Sequence, residues 1–211
     1  MRLPKLRAEL VEALRRMQRA GLVLGAAGNA SARDPDSALV VVSPTSLPYE
    51  DMRPEDVAVL TADGELVEGG KPSVEAPLHL VLLRGLADAG AVVHTHSPYA
   101  TALACVLDEL PVVAPEQAAA VGGATPVVPY VPTGTQRAGE QLLATLQSRW
   151  AVVIRNHGPV CLGRDLSEAL ACAFAVEESA RIYTLARLSG VPALLPDGEV
   201  ERVARLTGRR R

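Results

Sequence analysis

The sequence predicts an α/β protein in which one β-sheet is covered by helices. Three observations carry that prediction. Helical and strand-like patterns are interspersed along all 211 residues. At 48% hydrophobic residues, the chain has enough apolar surface for a full core. No repeat, low-complexity stretch or linker divides it, so residues 1–211 are expected to form a single domain.

The elements follow in order. Leu6, Leu10, Ala13, Leu14 and Met17 recur at helical spacing, which predicts an amphipathic helix over Lys5–Ala20 that stops at Gly21. Gly25–Ser31 reads as a small-residue loop. Ala38–Ser43 reads as a buried strand, followed by a turn over Pro44–Pro48. A short helical turn is expected within Glu50–Asp56. Val57–Thr61 and Glu65–Leu66 flank Ala62-Asp63-Gly64, a hairpin signal. The loop Gly69–Ser73 leads into a helix with Pro77 in its first turn, carried on by Leu78–Leu86. Ala91–His94 is a strand and Tyr99–Val106 a helix. Val112–Gly123 is ambiguous. Val127–Tyr130 is a strand between prolines, and Arg137–Leu146 is a helix. Ala151–Ile154 and Pro159–Leu162 are strands around an Asn-His-Gly turn. Leu166–Leu188 is a long core helix, with a short helix and a tail after it.

Composition excludes several classes of function. A net charge of −3 with 21% charged residues gives no nucleic-acid footprint, and the tail Gly208–Arg211 reads as a solvated end. No apolar run approaches the ~20 residues of a membrane helix. The N-terminus is charged throughout, unlike a signal peptide. The three cysteines form no CxxC and read as reduced, buried hydrophobes, so a cytoplasmic protein is expected.

The chemistry concentrates at a few positions. His94 and His96 stand one residue apart at the end of an apolar strand, so both can aim at one point. His157 follows a second apolar run. Three imidazoles without a cysteine cluster suit a catalytic Zn²⁺ with an open position; the alternative is two unrelated strand-end sites. Glu75, at a helix start, is either a proton-transfer carboxylate or a stabiliser of the helix dipole. His79, one turn later, is either a fourth ligand or a packed histidine. Gly28, Asn29, Thr45, Ser46 and Ser73 are loop residues that could hold a phosphate at a helix N-terminus, or serve as turns and caps. Arg33 and Lys71 are cations that could assist; surface roles are the alternative. The chain has only two asparagines, Asn29 and Asn156, both inside these motifs.

Taken in order, Gly28–Arg33, Ser43–Tyr49, Lys71–Glu75, His79, Val93–Ser97 with Ala100-Thr101, Gly134-Thr135 and Asn156–Gly158 make the chain resemble the class II, zinc-dependent sugar-phosphate aldolases, the L-fuculose-1-phosphate aldolases most closely. The resemblance implies a central, mostly antiparallel sheet between helical layers. It implies one Zn²⁺ per chain on His94, His96 and His157, with Glu75 as the acid/base. It places Gly28, Asn29, Thr45, Ser46 and Ser73 around the substrate phosphate. It also implies a C4 homotetramer with sites at subunit interfaces, acting on a phosphorylated sugar, with neither nucleic acid nor membrane as partner. The implied reaction is retro-aldol cleavage of L-fuculose 1-phosphate to dihydroxyacetone phosphate and L-lactaldehyde. Alternatives on the same scaffold are methylthioribulose-1-phosphate dehydratase and tetronate-phosphate decarboxylase, and more remotely a non-enzymatic, adducin-like interaction protein. This chain departs from the fuculose pattern in having Ser46 in place of glycine and Val74 in place of serine. It also lacks a tyrosine within Pro111–Gly123, where Glu116-Gln117 stands, and has Thr207 near the place of a second tyrosine.

Overall fold

The computed structural model describes residues 1–209. Its elements are α1 (Pro4–Arg19), β1 (Asn29–Arg33), β2 (Val40–Val42), β3 (Ala58–Leu60), β4 (Leu66–Glu68), α2 (Ala76–Gly85), β5 (Ala91–His94), α3 (Pro98–Ala104), β6 (Glu109–Leu110), α4 (Pro115–Val121), β7 (Thr125–Val128), α5 (Gln136–Leu146), β8 (Ala151–Ile154), β9 (Gly158–Gly163), α6 (Leu166–Ser189) and α7 (Asp197–Leu206). A 3₁₀ turn at Pro54–Asp56 supplies the helical turn expected before β3.

The strands form one sheet in the order β4-β3-β2-β1-β5-β9-β8-β7-β6. Each neighbouring pair is antiparallel except β7–β8, which are parallel. α5 is the crossover that lets β7 and β8 run the same way. Helices α2 and α5 pack together against β1, β5, β7 and β8, while α6 lies against β5, β8 and β9 with α1, α3 and α4 beside it. The central strands β5, β8 and β9 are buried along their whole length, because helices cover both their faces. One apolar core runs from Leu10 in α1 to Ala180 in α6.

The loop expected over Gly25–Ser31 is in part a strand. Its residues Asn29, Ala30 and Ser31 belong to β1, which pairs with β2 and β5. Asn-Ala-Ser-Ala has little intrinsic strand preference, and tertiary pairing overrides it. The ambiguous stretch Val112–Gly123 contains α4, which ends at Gly122 in the left-handed region (φ 89°), a usual helix stop. The strand expected at Val127–Tyr130 lies two residues earlier. Cys161 and Cys172 are buried as expected, but Cys105 is exposed at the end of α3. Among the described residues, no helix is long and apolar enough to cross a membrane.

Candidate active site

Sheet register brings the site together. Asn29 on β1 is paired directly with His94 on β5, and Ser31 with Val92. Alternate residues share a face, so Asn29, Ser31 and His94 all point toward α2. The hairpin between β8 and β9 carries His157. Asn156 sits there in the left-handed region (φ 60°), which asparagine tolerates better than most residues. Gly158, at φ 155°, lies against the backbone of Thr95, and a Cβ there would come within 2.0 Å of the Thr95 carbonyl oxygen. Only glycine lets the two histidine-bearing segments approach this closely.

His94, His96 and His157 each offer a ring nitrogen within 4.8 Å of the others. His94 Nδ1 lies 2.9 Å from the Pro159 carbonyl oxygen, which can only accept, so this nitrogen carries the proton and Nε2 is left bare. That bare Nε2 faces His157 Nε2 at 3.2 Å. His96 Nε2 is buried without a hydrogen-bond partner. Burial, reinforced by the neighbouring rings, holds His94 well below the usual histidine range, and burial also lowers His96 and His157. Neutral rings with converging lone pairs are what a divalent cation requires.

Glu75 stands at the start of α2 and is almost fully buried. Its Oε2 lies 3.4 Å from His94 Nε2 and accepts a hydrogen bond from Asn29 Nδ2 at 2.7 Å. Its Oε1 is buried and unpartnered. The Asn29 Oδ1 in turn accepts from His79 Nε2, and Ser31 Oγ lies 2.8 Å from His79 Nδ1. Both ring nitrogens of His79 are therefore engaged, so it is a packed histidine and not a fourth member of the cluster.

Gly28, Asn29, Thr45, Ser46, Ser73, Glu75, His96 and His157 line one cleft of about 360 Å³, with His94 buried behind them. The segments are tied by backbone bonds: Ser73 N–H donates to the Ser43 carbonyl at 2.8 Å, and Thr45 N–H to that of Lys71 at 3.0 Å. Ser73 Oγ accepts from Glu75 N–H at 3.2 Å. Ser46 adopts φ 59°, the region where glycine carries no penalty. Gly28 has its own N–H and C=O bonded to the Tyr49 hydroxyl, at 3.1 and 2.6 Å, so its N–H is committed inside the fold. Burial pushes Tyr49 up to about 12, and its hydroxyl stays protonated. Arg33 is spent on the carbonyls of Leu83, Ala87 and Ala89, while Lys71 lies exposed outside the cleft. Thr133 also lines the cleft, although only its neighbours Gly134-Thr135 drew attention in the sequence. Ser31 and Tyr49 lie within segments that carry the resemblance, but their contacts, like that of Pro159, are distant in sequence and have no local signal.

Of the residues near the absent tyrosines, Glu116 is exposed in the first turn of α4, and neither Gln117 nor Thr207 takes a tyrosine's place within this chain. Gln117 is buried and bonds the Leu110 carbonyl and Thr125 Oγ1, which ties β6 to β7. Thr207 donates to the Val203 carbonyl of its own helix. The tail is also less free than its charge predicts. Arg209 is buried, with its guanidinium 4.5 Å from the centre of the Trp150 ring and 3.2 Å from Glu168; Arg210 and Arg211 lie outside the described residues.

Residues 8–184 match the family described as Class II Aldolase and Adducin N-terminal domain. The chain is 38% identical over 206 residues to a 5-deoxy-D-ribulose 1-phosphate aldolase of Bacillus thuringiensis, covering 97% of this chain and 96% of that one. It is 36% identical over 198 residues to a 5-methylthioribulose-1-phosphate/5-deoxyribulose-1-phosphate aldolase of Rhodospirillum rubrum, covering 94% and 89%. A solved L-fuculose 1-phosphate aldolase superposes with a TM-score of 0.91 at 30% identity, covering 97% and 96% of the two chains. The chain belongs to the class II aldolase family of metal-dependent lyases.

Proposed function

We propose that this protein cleaves a ketose 1-phosphate by a retro-aldol reaction, and that its substrate ends in a carbon without a hydroxyl group. The observation that carries the reading is the meeting of three converging imidazole nitrogens with the unpartnered Oε1 of a buried carboxylate in one open cleft. Both named relatives above act, by their names, on 5-deoxy- or 5-methylthio-ribulose 1-phosphate. Their identity to this chain exceeds that of the fuculose enzyme. The five-carbon 5-deoxyribulose 1-phosphate is therefore placed first and L-fuculose 1-phosphate second.

The donor set fits a zinc ion. His96 Nε2 has no partner and the Nε2 atoms of His94 and His157 face each other at 3.2 Å, an arrangement that a cation held between the three neutral rings would satisfy. His94, His96 and His157 would hold the ion, and when bound it supplies Lewis-acid polarisation of the substrate carbonyl. The chain's own residues do the rest. Thr45, Ser46 and Ser73 anchor the phosphate through their hydroxyls and the Ser46 N–H group, in a site whose lining has no lysine or arginine. As the C4 hydroxyl loses its proton, the C3–C4 bond breaks and its electron pair passes to C3, forming the enediolate and the C4 aldehyde. Glu75, which in this direction starts with a proton on Oε1, delivers it to C3 and yields dihydroxyacetone phosphate; the carboxylate is then reprotonated from solvent, which balances the proton lost from the C4 hydroxyl. The group that takes the C4 hydroxyl proton is not supplied by Gln117 or Thr207, which fits an aldehyde side completed by a neighbouring subunit of a homotetramer.

The reading is tested by incubating purified, zinc-loaded protein with a panel of ketose 1-phosphates and assaying dihydroxyacetone phosphate. Release is expected from 5-deoxyribulose 1-phosphate, with a higher kcat/KM than from L-fuculose 1-phosphate. Loss of water from methylthioribulose 1-phosphate, or of carbon dioxide from a tetronate phosphate, without any aldol cleavage would overturn it.

A further inference from the structure

We infer that His79 is a positioning residue, which sets the Glu75 carboxylate through Asn29 in a buried chain Ser31–His79–Asn29–Glu75. The inference rests on Glu75 as the proton carrier. The four side chains come from two elements that meet only in the fold, β1 and the first turns of α2. All four are buried.

The direction of every bond is fixed by chemistry. A carboxylate only accepts, so the Asn29 amide must turn its Nδ2 toward Glu75 Oε2. Its Oδ1 then faces His79 and only accepts, so His79 carries its proton on Nε2. Nδ1 is left as an acceptor, and Ser31 Oγ meets it at 2.8 Å with its hydroxyl proton. No other side chain offers one acceptor and one donor on opposite edges of a rigid ring. A lysine would donate at both ends and a carboxylate would accept at both. Burial pushes His79 down to about 3, so the ring stays neutral and the polarity of the chain does not reverse. If His79 turned the other way, Asn29 would present Oδ1 to the carboxylate, and repulsion would drive Glu75 from its place.

The consequence for chemistry is specific. Oε2 is pinned by Asn29 while Oε1 is left without a partner. One carboxylate oxygen thus orients the group and the other is available to move the proton.

The test uses two measurements. Full-length protein labelled with ¹⁵N only in asparagine gives two side-chain amide pairs, from buried Asn29 and exposed Asn156. In metal-free protein the Asn29 amide protons should exchange slowly with solvent, and in His79→Leu they should exchange at least about tenfold faster. In zinc-loaded protein, exchange of the C3 proton of dihydroxyacetone phosphate in D₂O should fall about 10–100-fold in maximal rate in His79→Leu, with KM preserved. His79→Gln, whose amide can restore a donor near the Nε2 position, should recover most of that rate. A wild-type exchange rate in His79→Leu overturns the inference. So does a slowed rate with Asn29 protons still protected, because the effect would not pass through Asn29. If His79→Leu does not fold, Asn29→Ala decides: a lower maximal rate with KM preserved supports the chain, and a raised KM with the rate preserved makes Asn29 a phosphate anchor and overturns it. The amide measurement needs neither metal nor substrate. Failure of Glu75 as the base, seen as full exchange activity in Glu75→Gln, is therefore distinguishable from failure of the chain that positions it.

Discussion

Asn29 shows how a single residue acquires its role. In the sequence it is a small polar residue after a glycine, suited to a turn. In the fold, register with His94 turns it inward, and its amide joins a neutral histidine to a buried carboxylate. His79 has a consequence that can be measured on its own. Burial moves its pKa from 6.5 to about 3. The unfolded chain binds a proton at His79 near pH 6.5, and the folded chain does not until the pH is much lower. Stability from this residue is therefore complete above pH 6.5 and drains away as the pH falls toward 3. Between about pH 6 and pH 4, metal-free wild-type protein should lose stability more steeply than His79→Leu, by about 1 kcal/mol per pH unit. Urea midpoints measured across that range check it, and parallel slopes for the two proteins would contradict it.

At the scale of elements, α3 depends on a partner far along the chain. It begins directly after the His94-Thr95-His96 segment, and its N-terminal Ser97 gives no side-chain cap, because Ser97 Oγ pairs with Thr95 Oγ1 at 2.7 Å. The free N–H groups of Tyr99 and Ala100 are taken by Glu177 of α6, at 3.0 and 2.9 Å. Glu177→Ala should cost about 1–2 kcal/mol of stability, read as a lowered urea midpoint, while Glu178→Ala on the exposed face should cost little. Equal midpoints for wild type and Glu177→Ala would show that α3 is held by packing alone. Elements with clear periodicity were legible in advance: α1, α5 and α6, the apolar strands β5, β8 and β9, and Pro77 in the first turn of α2. β1 was not, since Asn29-Ala30-Ser31-Ala32 has neither alternation nor β-branched side chains. It is a strand because β2 and β5 pair with it on both sides. The two-residue β6 owes its existence to β7 in the same way.

For the whole molecule, the sheet gathers at one end the segments that the chain keeps far apart. The candidate residues were legible because histidine, glutamate and asparagine are scarce or costly in such apolar surroundings. Their convergence on one cleft was expected from the resemblance, and the geometry brings it about through the β1–β5 register, the β8–β9 hairpin and the start of α2. What could not be read was which polar atoms are already spent. Gly28 N–H is held by Tyr49, Arg33 by three carbonyls and Gln117 by the β6–β7 pair. Those bonds exist only once distant segments meet, so no local pattern encodes them.

The claim at the centre of this account is that Glu75 moves the C3 proton beside a metal held by His94, His96 and His157. Exchange of the C3 proton of dihydroxyacetone phosphate in D₂O tests it most directly, because exchange needs the base and the metal but no aldehyde. Zinc-loaded wild-type protein should catalyse the exchange. Glu75→Gln should retain its fold and metal content, with the exchange rate lowered at least about 10²-fold. Exchange at the wild-type rate in Glu75→Gln, or none in wild-type protein loaded with zinc, would contradict the account.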